Sequence, residues 1–156
     1  MDVLKSLALA AALSLVGGTA LAHITVWPRQ SVQGAREKYV VRIPNERRAP
    51  TVRVEATFPA QVKVSAFEDK PGWKVEPRRD ASGAIVGAVW TGSLPPDHFA
   101  EFGLLAMNPA SGSALTWRFV QVYADGTRVE WAGPKGSATP APQVELQPGS
   151  SSAPHH

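Results

Sequence analysis

Past residue 22 the sequence never holds the 3.6-residue period of a long amphipathic helix. It breaks instead into short runs rich in valine, threonine and aromatic residues, divided by turn residues. The runs are His23–Trp27, Lys38–Ile43, Thr51–Phe58, Val62–Phe67, Trp73–Glu76, Ile85–Thr91, Glu101–Met107, Leu115–Tyr123 and Thr127–Trp131. Between them lie "PNERRAP", "EDKPG", "RRDASG", "GSLPPD", "NPASGS" and "ADG". In "TVRVEATF" the set Val52, Val54, Ala56 and Phe58 alternates with Thr51, Arg53, Glu55 and Thr57, a strand with one dry and one wet face. Asp125-Gly126 marks a hairpin, because glycine takes the positive φ of a tight turn. Short strands at this spacing predict an all-β fold, an antiparallel β-sandwich of immunoglobulin or cupredoxin type.

The first 22 residues read as a secretory leader. Lys5 supplies a positive n-region, Leu7 to Gly18 an apolar core, and Ala20-Leu21-Ala22 the small-x-small pattern of a cleavage site. The core is too short for a comfortable permanent span. Cleavage after Ala22 would make residues 1–22 a signal peptide, leave His23 as the first residue, and place the protein in the periplasm or outside the cell. The expected division is then 23–133 for the sandwich and 134–156 for a disordered tail. "GPKGSATPAPQVELQPGSSSAPHH" offers few apolar anchors against its ordering entropy. No stable membrane anchor is expected once the leader is gone. The closing His155-His156 pair carries no assigned role.

The chain has no cysteine, so it holds no disulfide, thiolate metal site or cysteine nucleophile. Its net charge of +3 comes from scattered basic residues, and no basic run marks a nucleic-acid site. The excess fits solubility and weak attraction to anionic envelope surfaces. No Gly-x-Ser-x-Gly elbow or phosphate-binding glycine loop is present.

Chemistry concentrates at the cleavage site. An N-terminal histidine offers its α-amine and ring Nδ1 to one ion, closing a chelate ring. Both suit Cu(II), whose affinity tops the first-row series. An α-amine ordinarily titrates near about 7.7–8.0 and must lose its proton to bind, so such a site weakens as pH falls.

From "AHITVWPRQSVQGAREKYVVRIPNE" through "KVSAFEDKPGWKVEPRRD" to "VQVYADGTRVEWAGP", the chain resembles the YcnI-like family of exported bacterial copper-binding domains, over roughly residues 22–134. The resemblance implies an immunoglobulin- or cupredoxin-like sandwich. It also implies a Cu(II) site made from the amine and ring of His23, the carboxylate of Glu46 in "PNE", and Trp131 of "VEW" over the metal. Glu55 is the alternative carboxylate. Glu130 is third, since alternation points it away from the face carrying Trp131. Trp73 and Trp117 read as packing residues, and Trp27 is left unplaced.

The function implied is copper trafficking or homeostasis, with the copper ion and another copper-handling protein of the envelope as partners, and no catalysis. Two alternatives stay open. One is a copper oxygenase, in which His98 of "PPDHFAEF" would supply a second imidazole. The other is a metal-free immunoglobulin-like binding module.

Overall fold

The computed structural model describes residues 22–150, so residues 1–21 of the leader and the His155-His156 pair lie outside the described residues. Among the described residues, twelve strands form three sheets. The first sheet runs β1 (Thr25–Trp27), β3 (Arg36–Asn45), β8 (His98–Met107), β5 (Lys63–Phe67). The second runs β11 (Arg128–Trp131), β10 (Arg118–Tyr123), β4 (Thr51–Thr57), β7 (Ile85–Leu94), β6 (Lys74–Arg79). Every pairing within these two is antiparallel. A smaller sheet joins β2 (Gln30–Val32), β12 (Gln143–Gln147) and β9 (Ala114–Thr116), with β2 and β12 parallel.

Alternation builds the sandwich. Tyr39, Val41 and Ile43 of β3, with Phe102 and Leu104 of β8, point inward from the first sheet. Val54 and Ala56 of β4, Trp90 of β7 and Phe119 of β10 do so from the second. Each such large side chain contributes about 1.5–3 kcal/mol on burial. The aromatics meet edge-on or stacked: Tyr39 and Trp117 at 5.0 Å between centroids, Trp73 and Phe102 at 4.9 Å, Trp90 and Phe102 at 5.1 Å. Trp73 and Trp117 therefore pack as expected.

The smaller sheet is tied in by a polar network. The Tyr39 hydroxyl donates to Asn108 Oδ1 at 2.5 Å, Asn108 Nδ2 donates to Ser31 Oγ and to the Val32 carbonyl, and Ser31 Oγ donates to Glu37 Oε2. Burial pushes the Tyr39 hydroxyl pKa above its ordinary value, against the lowering effect of its hydrogen bonds.

Two expectations need correction. The run Leu115–Tyr123 is two strands, because Trp117 leaves the ladder and its N–H donates to the Pro142 carbonyl. More consequentially, the chain from residue 134 does not leave the fold as a disordered tail. In β12, which pairs with β2 on one side and β9 on the other, the alternation of "QVELQ" turns Val144 and Leu146 into the core. Two well-placed apolar residues and backbone pairing on both sides hold a segment whose composition alone reads as disordered. The expected boundary at 133 moves to at least Gln147.

Candidate metal centre

The connection from β3 to β4 carries the chain from the first sheet to the second, and Glu46 stands on it. Asn45 fixes this crossover. Its buried side chain donates from Nδ2 to the carbonyls of Ala49 and Leu94, both at 3.0 Å, and accepts the Arg47 N–H at Oδ1. With Asn45 turned inward, Glu46 points to solvent. Arg47 lies over the Tyr123 ring at 5.1 Å from its centroid.

Trp131 ends β11, paired with Phe119 and facing inward at 4% exposure. Glu130 points to the opposite, solvent-facing side. Beneath the indole sits Gln121, fully buried, with its whole amide engaged. Its Oε1 accepts the Trp131 Nε1–H at 3.2 Å, and its Nε2 donates to the Pro44 carbonyl at 2.9 Å and to Thr51 Oγ1 at 2.8 Å. One amide thus joins the tryptophan to both ends of the Glu46 crossover. Residue-type reading passed over Gln121, although a polar residue in the dry row Phe119–Gln121–Tyr123 of "RFVQVY" is a legible signal.

The segment leading into β1 completes the arrangement. The Ala22 backbone N–H donates to Glu46 Oε2 at 2.8 Å, and the exposed His23 ring lies 5.7 Å from the Trp131 ring, tilted by 58°. His23, Glu46 and Trp131 therefore meet at one end of the sandwich, contributed by the edge of the first sheet, the crossover and the edge of the second. A cleft of about 470 Å³ runs alongside His23, bordered by Arg29, Lys135 and Glu145.

The other candidates lie elsewhere. Glu55 projects from the outer face of β4, where it accepts ion pairs from Arg53 at 2.9 Å and Arg128 at 3.2 Å. His98 is exposed at the start of β8, opposite Asn45, with Nδ1 at 2.8 Å from the Pro96 carbonyl. Among the described residues no three histidine, aspartate or glutamate side chains form a cluster able to hold a metal, so His98 does not join His23 and Glu46 in one.

Comparisons with known proteins place the chain. Residues 23–146 match the family model described as a domain of unknown function, DUF1775. The chain is 32% identical over 146 residues to the copper-binding protein CutI of Bacillus subtilis (strain 168), across 88% of this chain and 72% of that one. A crystal structure of an uncharacterized protein from Nocardia farcinica with an immunoglobulin-like fold superposes with a TM-score of 0.71 at 25% identity, covering 80% of this chain and 97% of that one. A cohesin module from a Clostridium perfringens family 33 glycoside hydrolase shares the sandwich alone, at TM-score 0.52 and 9% identity, over 81% and 98% of the two chains. A two-sheet antiparallel sandwich with these relatives makes the chain a member of the DUF1775, or YcnI-like, family.

Proposed function

We propose that the protein is exported and binds Cu(II) for trafficking or homeostasis, the ion being its cargo. Removal of the leader after Ala22 turns the His23 nitrogen from an amide into an amine. The amine and ring of His23 and the Glu46 carboxylate bind the ion, and Trp131 covers it. The observation that carries this reading is the 2.8 Å contact between the Ala22 nitrogen and Glu46 Oε2 beside the His23 ring. The backbone at the expected cut already lies against the carboxylate, and the new amine would begin one residue further on. The donor chemistry fits. Two nitrogens and one carboxylate, without a thiolate, favour Cu(II) over Cu(I). The indole face adds a cation–π contact and shields one side of the ion. The copper-binding name of the Bacillus subtilis relative supports the choice of metal.

The test compares a chain running from His23 to Ser150 with the same chain bearing one extra alanine in front. Both retain β12 and lack His155 and His156. Cu(II) titration and paramagnetic resonance should show one tightly bound copper with nitrogen coupling in the first. In the second, affinity should fall by at least about a hundred-fold, the scale of losing one arm of a chelate. Equal binding by both, or by neither, overturns the site.

A further inference from the structure

The outer face of the first sheet has no covering layer. It carries Trp27 at 41%, Leu105 at 49% and Phe99 at 62% exposure, three of the five large apolar side chains most open to solvent among the described residues. The ladder register brings them onto one surface. Trp27 pairs with Val40, Arg42 with Thr25 and Glu101, Pro44 with Phe99, and Lys38 with Leu105. The Arg42 guanidinium sits between the rings, 5.4 Å from the Trp27 centroid and 5.7 Å from that of Phe99, while Arg29 flanks Trp27 at 5.7 Å. Five cations occupy the face or its rim: Arg29, Arg36, Lys38, Arg42 and Lys63. Two carboxylates answer them, Glu68 to Lys38 at 3.8 Å and Glu101 to Arg42 at 3.2 Å. Arg29, Arg36 and Lys63 make no ion pair among the described residues.

We propose that this face docks reversibly on an anionic phospholipid surface, with Trp27 and Phe99 at headgroup depth and the basic residues against lipid phosphates. Charge complementarity selects the occupant, and the distribution of side chains selects a bilayer over a protein. Protein interfaces gather their apolar groups into a desolvated centre depleted of charge. Here a guanidinium stands between the two aromatics and the third apolar residue lies apart, beside a lysine. That mixture suits the headgroup zone, where tryptophan partitions and basic side chains meet phosphate. The face adjoins the end of the sandwich bearing His23 and Glu46, since β1 follows His23 and Pro44 pairs with Phe99. Docking would hold that end close to the membrane. The proposal does not depend on the copper reading.

The test is co-sedimentation of the chain from His23 to His156, which omits the apolar leader. One set of vesicles contains equal parts phosphatidylglycerol and phosphatidylcholine, and the other phosphatidylcholine alone. Binding is expected only to the anionic vesicles and should fall as salt rises. Trp27→Ala with Phe99→Ala should weaken it about ten-fold or more. Arg29→Gln, Arg36→Gln and Lys63→Gln together should weaken it by roughly a hundred-fold, at about five-fold per cation. Arg53→Gln, Arg118→Gln and Arg128→Gln make the same change of net charge on the outer face of the second sheet, and should leave most of the binding intact. An unchanged melting temperature shows that each variant is folded. Equal loss in the two charge variants overturns the proposal, since net charge alone would then explain binding. Absence of binding to either vesicle also overturns it, and leaves an acidic protein surface as the occupant.

Discussion

Gln121→Met tests whether one buried amide holds together the end of the sandwich that bears His23, Glu46 and Trp131. Methionine nearly matches glutamine in length and volume, so the substitution removes hydrogen bonds with little change in packing. Three partners lose their bonds: the Trp131 indole N–H, the Pro44 carbonyl and the Thr51 hydroxyl. The hydroxyl can rotate toward another acceptor. The indole and the carbonyl cannot, and each buried group left unsatisfied costs about 1–3 kcal/mol. The expected destabilisation is therefore about 2–6 kcal/mol, or a melting temperature lower by roughly 8–24 °C for a domain of this size. A double-mutant cycle isolates the indole bond. In Trp131→Phe the N–H is already absent, so Gln121→Met should cost about 1 kcal/mol less in that background. Urea unfolding followed by circular dichroism measures both numbers. Copper titration adds a readout that global stability does not move. With the protein still folded at 10 °C, affinity should drop because the Glu46 crossover and Trp131 no longer share a brace. A loss of stability below about 0.5 kcal/mol, or zero coupling in the cycle, would refute the reasoning. The amide would then be replaceable by water or by local relaxation.

Three further outcomes follow from the same geometry. A chain ending at Pro142 loses β12 and with it Val144 and Leu146, and should be destabilised by about 3–6 kcal/mol on the burial of two side chains; urea unfolding and limited proteolysis would detect it, and an unchanged unfolding midpoint would return the segment to the status of a tail. Tyr39→Phe leaves the buried Asn108 Oδ1 without its donor and should cost about 1–3 kcal/mol by thermal melt; a neutral result would mean that the network closes without the hydroxyl. Hydrogen bonds from Thr127 hold the Asp125 carboxyl below its ordinary value of 3.8, and those from Ser82 and its neighbours do the same for Asp80. Stability from these depressed groups is fully present above about pH 4 and is lost as pH falls through their lower folded-state values. Asp125→Asn should therefore flatten the dependence of stability on pH below 4, and an unaltered acid limb would exclude the carboxylate as its source.

Alternation carried most of the fold class on its own. "RVEW" faces one set of residues inward and the other outward because a strand repeats every two residues, and this placed Glu130 outside and Trp131 inside. "TVRVEATF" does so from Arg53 onward, but a bulge against β7 at its start buries Thr51 and leaves Val52 half-exposed, the reverse of the expected faces. Position did the same for His23. A histidine directly after a small-x-small pattern is marked as a potential amine donor whatever the fold. The sequence does not encode in any local period which distant strands pair. β2 and β12 are each short, largely polar and separated by more than a hundred residues. Their strand character arises from the backbone partners they find in each other, so composition alone assigned to the expected tail of 134–156 a segment that the fold holds through Gln147. The same holds at the site. Glu46 and Glu55 are both exposed-side carboxylates near β4, which local period does not separate, and it was the family resemblance that put Glu46 first. Only the crossing of the chain between sheets brings one to the Ala22 nitrogen and commits the other to Arg53 and Arg128. Gln121 makes the point most sharply. A glutamine in a dry row announces a buried partner, but that its partners are Trp131, Pro44 and Thr51 follows from three strands meeting in space.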